Sequence, residues 1–200
     1  GHGGTSTSTA TVTITGTNFT AGANMLLTRS SFRGNLAHTS GGGLYVSFNA
    51  TILACILVEN ESHSLESGSG GEGGAGIYLV GGSPNLQSCV VAGNSALVNG
   101  VAGGLGGGLY LRQSNAKLVN CTVAANSASG IAGGGLFITG APTLFNTIVW
   151  QNTAAQGAEC FNSGGTPAFT SCLVGGSGGS AAWNFQLGTD GGGNLDLDPL

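Results

Sequence analysis

Apolar residues along this chain fall in short runs, and the runs follow a fixed grammar. Each run closes on an Asn: "LLTRSSFRGN" at Asn35, "ILACILVEN" at Asn60, "LQSCVVAGN" at Asn94, "LVNCTVAAN" at Asn126 and "LFNTIVWQN" at Asn152. A further run, "FTSCLVGGS", puts Ser177 at the Asn position. Aligned on this position, the residues eight before are Leu27, Ile52, Leu86, Leu118, Leu144 and Phe169, all apolar. Three before stand Phe32, Leu57, Val91, Val123, Val149 and Val174, again apolar. Five before stand Ser30, Cys55, Cys89, Cys121, Thr147 and Cys172, all small. Two after stand Ala37, Ser62, Ala96, Ala128 and Ala154.

A second phrase alternates with the first. It reads "GGGLYV" from Gly41, "GAGIYL" from Gly74, "GGGLYL" from Gly106 and "GGGLFI" from Gly133. Consecutive Asn positions are 25, 34, 32 and 26 residues apart. Periods of this size mark a solenoid, with the variation absorbed in loops. The apolar runs are short, β-branched and broken by Gly, so they predict strands, whereas helical repeats need long amphipathic stretches. The expected fold is an all-β, right-handed, single-stranded parallel β-helix of about six coils, each with two or three strands. At about 4.8 Å per coil the rod would be roughly 30 Å long.

Several columns follow from the period of 2 along a strand. Leu44, Ile77, Leu109 and Leu136 should point inward, as should Val46, Leu79, Leu111 and Ile138. Tyr45, Tyr78, Tyr110 and Phe137 should then stack on the outside as a contact stripe. Asn35, Asn60, Asn94, Asn126 and Asn152 should form a ladder in which buried amides satisfy corner backbone groups. "SLESGSGGEGG" and "VNGVAGGLGG" are expected as loops between coils.

Composition narrows the function. The chain has 200 residues, read as one β-helix segment over 1–200 cut from a longer chain, with 40 Gly, 8 acids and 4 bases. So few bases give no patch that could neutralise phosphates, so no nucleic-acid partner is expected. No apolar run approaches the roughly 18 residues of a membrane span. Asn18, Asn49, Asn60 and Asn120 head Asn-x-Ser/Thr sequons and are glycosylation candidates, which suggests a secreted glycoprotein.

"GGGL", "GAGI" and above all "FRGN" at Phe32–Asn35 resemble the GGA(I/L/V) and FxxN repeats of chlamydial polymorphic outer-membrane proteins, and "GGGNLDLDPL" resembles the segment that closes such regions. The resemblance implies a parallel β-helix exposed at a cell surface. Here the Ala of GGA is usually Gly, and the Phe of FxxN is usually Val or Leu.

The candidate chemistry is sparse. Lyases on this fold need several Asp around Ca²⁺ and a base, and hydrolases need paired carboxylates. Glu59 has Gly34, Gly93, Ala125 and Gln151 as its equivalents, so no acid lies in register with it. Glu66 and Glu72 lie in a Gly-Ser loop. Asp190, Asp196 and Asp198 could surround Ca²⁺, but they read better as turn caps. The Cys column reads as stacked buried thiols. Cys160, in "GAECFNSGG", is read as a loop residue that could form a disulfide with Cys172. His2, His38 and His63 lie apart, and no Thr row marks an ice-binding face. No cofactor, metal or catalytic residue is expected. The reading is a non-enzymatic extracellular or cell-surface module for adhesion or filament assembly. Its partners would be further copies or coils of itself, and glycans. The alternative is a carbohydrate-binding or carbohydrate-cleaving β-helix.

Overall fold

The computed structural model describes residues 20–21, 25–64, 73–98, 104–130 and 132–199. His2, Asn18, Glu66 and Glu72 lie outside them. Short parallel strands stack into four sheets along one axis. Sheet 1 runs through Thr20–Ala21, Leu44–Ser47, Ile77–Val80, Leu109–Arg112, Leu136–Ile138 and Cys160–Asn162. Sheet 2 contains Ala50–Leu53, Asn85–Gln87, Lys117–Val119 and Thr143–Phe145, and its last strand is Thr189–Asp190. Sheet 3 contains Ile56–Val58, Val90–Ala92, Thr122–Ala124 and Ile148–Trp150, and it ends at Leu173–Val174. Sheet 4 contains Leu36–Ala37, Glu61–Ser64, Ser95–Val98 and Ser127–Ala128. A full coil thus has up to four strands, one more than the sequence predicts. The chain is a right-handed parallel β-helix.

The registers place like over like. Leu109 pairs with Ile77 and Leu136, Leu86 with Ile52 and Leu118, and Val91 with Leu57 and Val123. All of these side chains are buried, and together they form the core. The Cys column runs in the same way: the carbonyls of Cys55, Cys89 and Cys121 accept from Val90, Thr122 and Ile148 of the next coil.

Every coil turns two corners on left-handed residues. One precedes the Cys column, at Arg29, Ala54, Ser88, Asn120, Asn146 and Ser171 (φ 47 to 53°). The other precedes the Asn column, at Gly34, Glu59, Gly93, Ala125, Gln151 and Gly176 (φ 53 to 68°). These corners tilt the chain from sheet 2 into sheet 3 and from sheet 3 into sheet 4.

The aromatic column does stack. Ring centroids lie 5.1 Å apart for Tyr45–Tyr78, 5.0 Å for Tyr78–Tyr110, 4.9 Å for Tyr110–Phe137 and 5.5 Å for Phe137–Phe161. It is not an exposed contact stripe. Tyr78, Tyr110 and Phe137 are only 3%, 5% and 7% exposed, packed with Leu105 and Ala132 in a second apolar cluster. Leu105 and Ala132 supply part of that cover, and burial of aromatic area here outweighs its use as a surface.

The last coil closes over the core. Trp183 packs on Phe169 with ring centroids 5.4 Å apart and donates its indole N–H to the Gly188 carbonyl at 2.9 Å. A 3₁₀ turn at Phe185–Leu187 follows, and Leu187 packs against the core.

Candidate functional site

The hexad glycines and the Asn ladder explain each other. The first glycine of each hexad, at Gly41, Gly74, Gly106 and Gly133, has φ between 63 and 74°. The third lies against the ladder: a Cβ on Gly108 would sit 2.9 Å from Asn126 Nδ2 and 2.7 Å from the Gly135 carbonyl oxygen. The amide therefore occupies the space of the missing side chain.

In the ladder, the main-chain N–H and Nδ2 of each Asn donate to Oδ1 of the next. Asn94 N and Nδ2 reach Asn126 Oδ1 at 3.0 and 2.9 Å, and Nδ2 also reaches the Leu57 carbonyl at 2.9 Å. The same pattern joins Asn35 to Asn60, Asn60 to Asn94, and Asn126 to Asn152. At the first end, Asn35 Oδ1 is buried without a donor.

At the other end, Ser177 does not continue the ladder. Its hydroxyl accepts from Gly179 instead. Glu159 takes the place. It is the third residue of a fifth hexad, "GAECFN", where the other four have Gly. Its carboxylate accepts from Asn152 Nδ2 at 2.6 Å and from Asn152 N at 3.2 Å. Burial raises its pKa above the ordinary carboxylate range, and the Asn152 bonds oppose the shift.

The fifth hexad also corrects the reading of Cys160. This residue lies on the strand Cys160–Asn162, paired with Leu136, and its side chain is buried in the core. It is not in a loop. Cys160 and Cys172 are both free thiols, as are Cys55, Cys89 and Cys121. Burial pushes the Cys160 thiol up to about 12 and raises Cys172 as well. Such thiols stay protonated and unreactive near neutral pH.

Beside Cys160–Asn162 opens a cleft of about 920 Å³. Trp150, Phe161 and Leu187 give it apolar surface, and Gln151, Gln156, Asn162, Asn184 and Gln186 give it amides. Among the described residues, Glu159 is its only charged lining residue. Trp150 Nε1 is buried without an acceptor at this wall.

Four further described acids, Glu59, Glu61, Asp190 and Asp196, are engaged by neighbouring groups. Glu59 forms a two-point ion pair with Arg33 at 2.7 and 3.0 Å, and Glu61 meets His63, on the same strand, at 3.1 Å. Asp190 accepts from Gly192 N, Ser180 Oγ and Asn194 Nδ2, and the Gly192 bond leads in lowering its pKa. Asp196 accepts from Gly176 N and Gly178 N at 2.9 and 2.8 Å. These are turn caps. His38 is exposed.

Among the sequons, Asn49 and Asn120 are exposed. Asn60 is fully buried in the ladder, and its Nδ2, the atom a glycan would take, is bonded to Asn94 and to the Phe32 carbonyl. Asn60 is therefore not a glycosylation site of the folded chain.

Stacked coils, an internal Asn ladder and a capped last coil define a parallel β-helix solenoid. The chain belongs to the family described as the right-handed β-helix region, whose model matches residues 2–186. Comparisons with curated proteins and with solved structures gave no match.

Proposed function

We propose that this β-helix is an extracellular or cell-surface structural module, a stiff rod for adhesion or assembly. The observation that carries this reading is the engagement of the acids. Glu59, Glu61, Glu159, Asp190 and Asp196 each hold a structural partner, and even Glu159 and Asp196, whose charges feel each other, are bonded to Asn152 and to the Gly176 and Gly178 amides. Satisfied side chains on short, closely stacked coils make a rigid body rather than a reactive face. The cell-surface setting rests on the likeness of "FRGN" and the Gly-rich hexads to the polymorphic outer-membrane repeats, and on the exposed sequons at Asn49 and Asn120.

A carbohydrate-binding reading has one observation in its favour: the cleft pairs aromatic surface with five amides, a lining suited to neutral hydroxyl-rich ligands. One protein preparation tests both. The structural reading expects no release of reducing or unsaturated ends from a polysaccharide panel, together with rods or chains in electron micrographs. Turnover of any polysaccharide, lost on Glu159→Gln, would overturn it. Saturable glycan-array binding without turnover would favour the second reading.

A further inference from the structure

Glu59 and Glu61 each have a basic side chain beside them, Arg33 and His63. Glu159 has none among the described residues. Its bonded donors are the Asn152 amide, the Asn152 main chain and the Gln151 main chain, all neutral. Burial leads in raising its pKa, and the nearby charge of Asp196 adds to the rise. A half-buried carboxylate held only by neutral dipoles, with a second negative charge close by, lacks a counter-charge.

Aromatic and apolar groups surround this carboxylate. Gly175 sits between it and Trp150: a Cβ there would lie 2.9 Å from Trp150 Cε3 and 3.2 Å from Glu159 Cγ. The indole and the glutamate stem therefore flank the same residue. Phe161, half-buried, ends the described aromatic stack, and Leu187 adds apolar surface. Gln151, Gln156 and Gln186 bring exposed amides to the rim. The turn Phe185–Leu187 packs against Cys160–Asn162, so the opening beside it takes a small molecule and not a further strand.

We infer that the cleft binds a small organic cation, a primary alkylammonium ion, with its charge at Glu159 and its alkyl stem along Trp150, Phe161 and Leu187. The carboxylate keeps acceptor capacity beyond its Asn152 bonds, since its two oxygens offer about four lone-pair sites. Aromatic faces attract a cation and bury its stem. The glutamine amides can turn carbonyl oxygens to the remaining N–H groups. A neutral ligand would satisfy those amides but leave the charge of Glu159 unpaired, and an anion would meet two negative charges. A hard metal ion wants a shell of oxygen ligands and would leave the aromatic wall unused. Groups of three or more His, Cys, Asp or Glu placed to hold one are absent among the described residues.

The test titrates the purified, isotopically labelled chain with n-butylammonium chloride and, in parallel, with 1-butanol, its neutral counterpart, at constant ionic strength. NMR follows the Trp150 indole N–H and the Asn152 side-chain amide. The expected result is a saturable shift of both signals with butylammonium, and binding of 1-butanol weaker by about fivefold. Glu159→Gln should weaken butylammonium about tenfold, and Phe161→Leu about threefold, both in proteins that still melt cooperatively. Equal affinity for the alcohol and the ammonium ion would overturn the inference, and that comparison needs only the wild-type chain. So would the absence of a saturable shift with ligand in large excess, or unchanged affinity in folded Glu159→Gln. Calcium chloride producing the same shifts at lower concentration would assign the cleft to a metal ion and overturn the organic one. These signals do not depend on whether rods assemble or adhere, so failure here leaves the structural role untouched, and a rod that never assembles would leave this site standing.

Discussion

Asn152 Nδ2 donates to Glu159 Oε2 at 2.6 Å, so a ladder of neutral amides ends on a carboxylate. The carboxylate lies half-buried in the cleft, and burial raises its pKa. In the unfolded chain it should titrate near about 4.3. A group whose pKa is raised on folding adds stability below its unfolded value and loses that contribution as pH climbs through the folded value. The wild-type chain should therefore lose stability from about pH 4.3 upward on account of this residue. Glu159→Gln keeps an acceptor for Asn152 and removes the titration. Its melting temperature relative to wild type should rise between pH 4 and pH 7. Thermal melts at both values check this, and a difference that shrinks with rising pH would refute the account of the ladder's end.

Position within the ladder sets the cost of breaking it. Asn94 accepts from Asn60 N and Nδ2, and donates to Asn126 and to the Leu57 carbonyl. Asn94→Ala leaves these buried groups unpaired and should cost about 3 kcal/mol. Asn35 donates to Asn60, but its own Oδ1 receives nothing. Asn35→Ala should cost about 1 kcal/mol. Chemical denaturation gives both values, and equal costs would mean that the ladder is not cooperative.

The columns at −8, −3 and +2 from each Asn were legible because burial restricts them to apolar or small types, and the ladder because the short Asn amide both donates and accepts at that corner. Other features left no such mark. The corner residues Arg29, Ala54, Ser88, Asn120, Asn146 and Ser171 share a left-handed conformation but no chemistry, since their side chains point away from the core. Cys160 escaped its column because the hexad "GAECFN" carries Glu at the third glycine position. That exchange is tolerated only where no further Asn fills the space. Cover over the aromatic column comes from Leu105 and Ala132, and the spacing of the tyrosines does not announce it.

Glycine positions should separate by what surrounds them. On Gly108 a Cβ would sit within 2.9 Å of Asn126 Nδ2, Val123 Cγ1 and the Gly135 carbonyl, and Gly108→Ala should cost about 3 kcal/mol by overpacking. On Gly93 it would meet nothing nearer than Glu59 at 4.0 Å, so Gly93→Ala carries only the left-handed penalty, about 1 kcal/mol. The reverse exchange at the equivalent corner, Ala125→Gly at φ 53°, relieves that penalty against the greater freedom of an unfolded glycine. It should stabilise by about 0.5 kcal/mol. Denaturation midpoints of the three variants should fall in that order, with Gly108→Ala lowest. A Gly108→Ala protein as stable as Gly93→Ala would show that the hexad glycines do not make room for the ladder.

Glycan attachment should follow burial rather than motif. Asn49 and Asn120 are exposed, and their Oδ1 atoms accept from Ser83 N and Asn146 Nδ2, which leaves each Nδ2 outward for transfer. Asn60 spends both of its Nδ2 hydrogens inside the wall, on Asn94 Oδ1 and the Phe32 carbonyl. A glycan there would replace one of these hydrogens, break the bond it makes, and force a polar chain through the packed corner between sheets 3 and 4. Secreted from a eukaryotic host, the protein should carry glycan at Asn49 or Asn120 and none at Asn60. Peptide mass mapping after enzymatic deglycosylation, which converts each occupied Asn to Asp, reads the three sites separately. Occupancy at Asn60 in folded, secreted protein would mean that the corner opens or forms late, and that the ladder is not a fixed part of the wall.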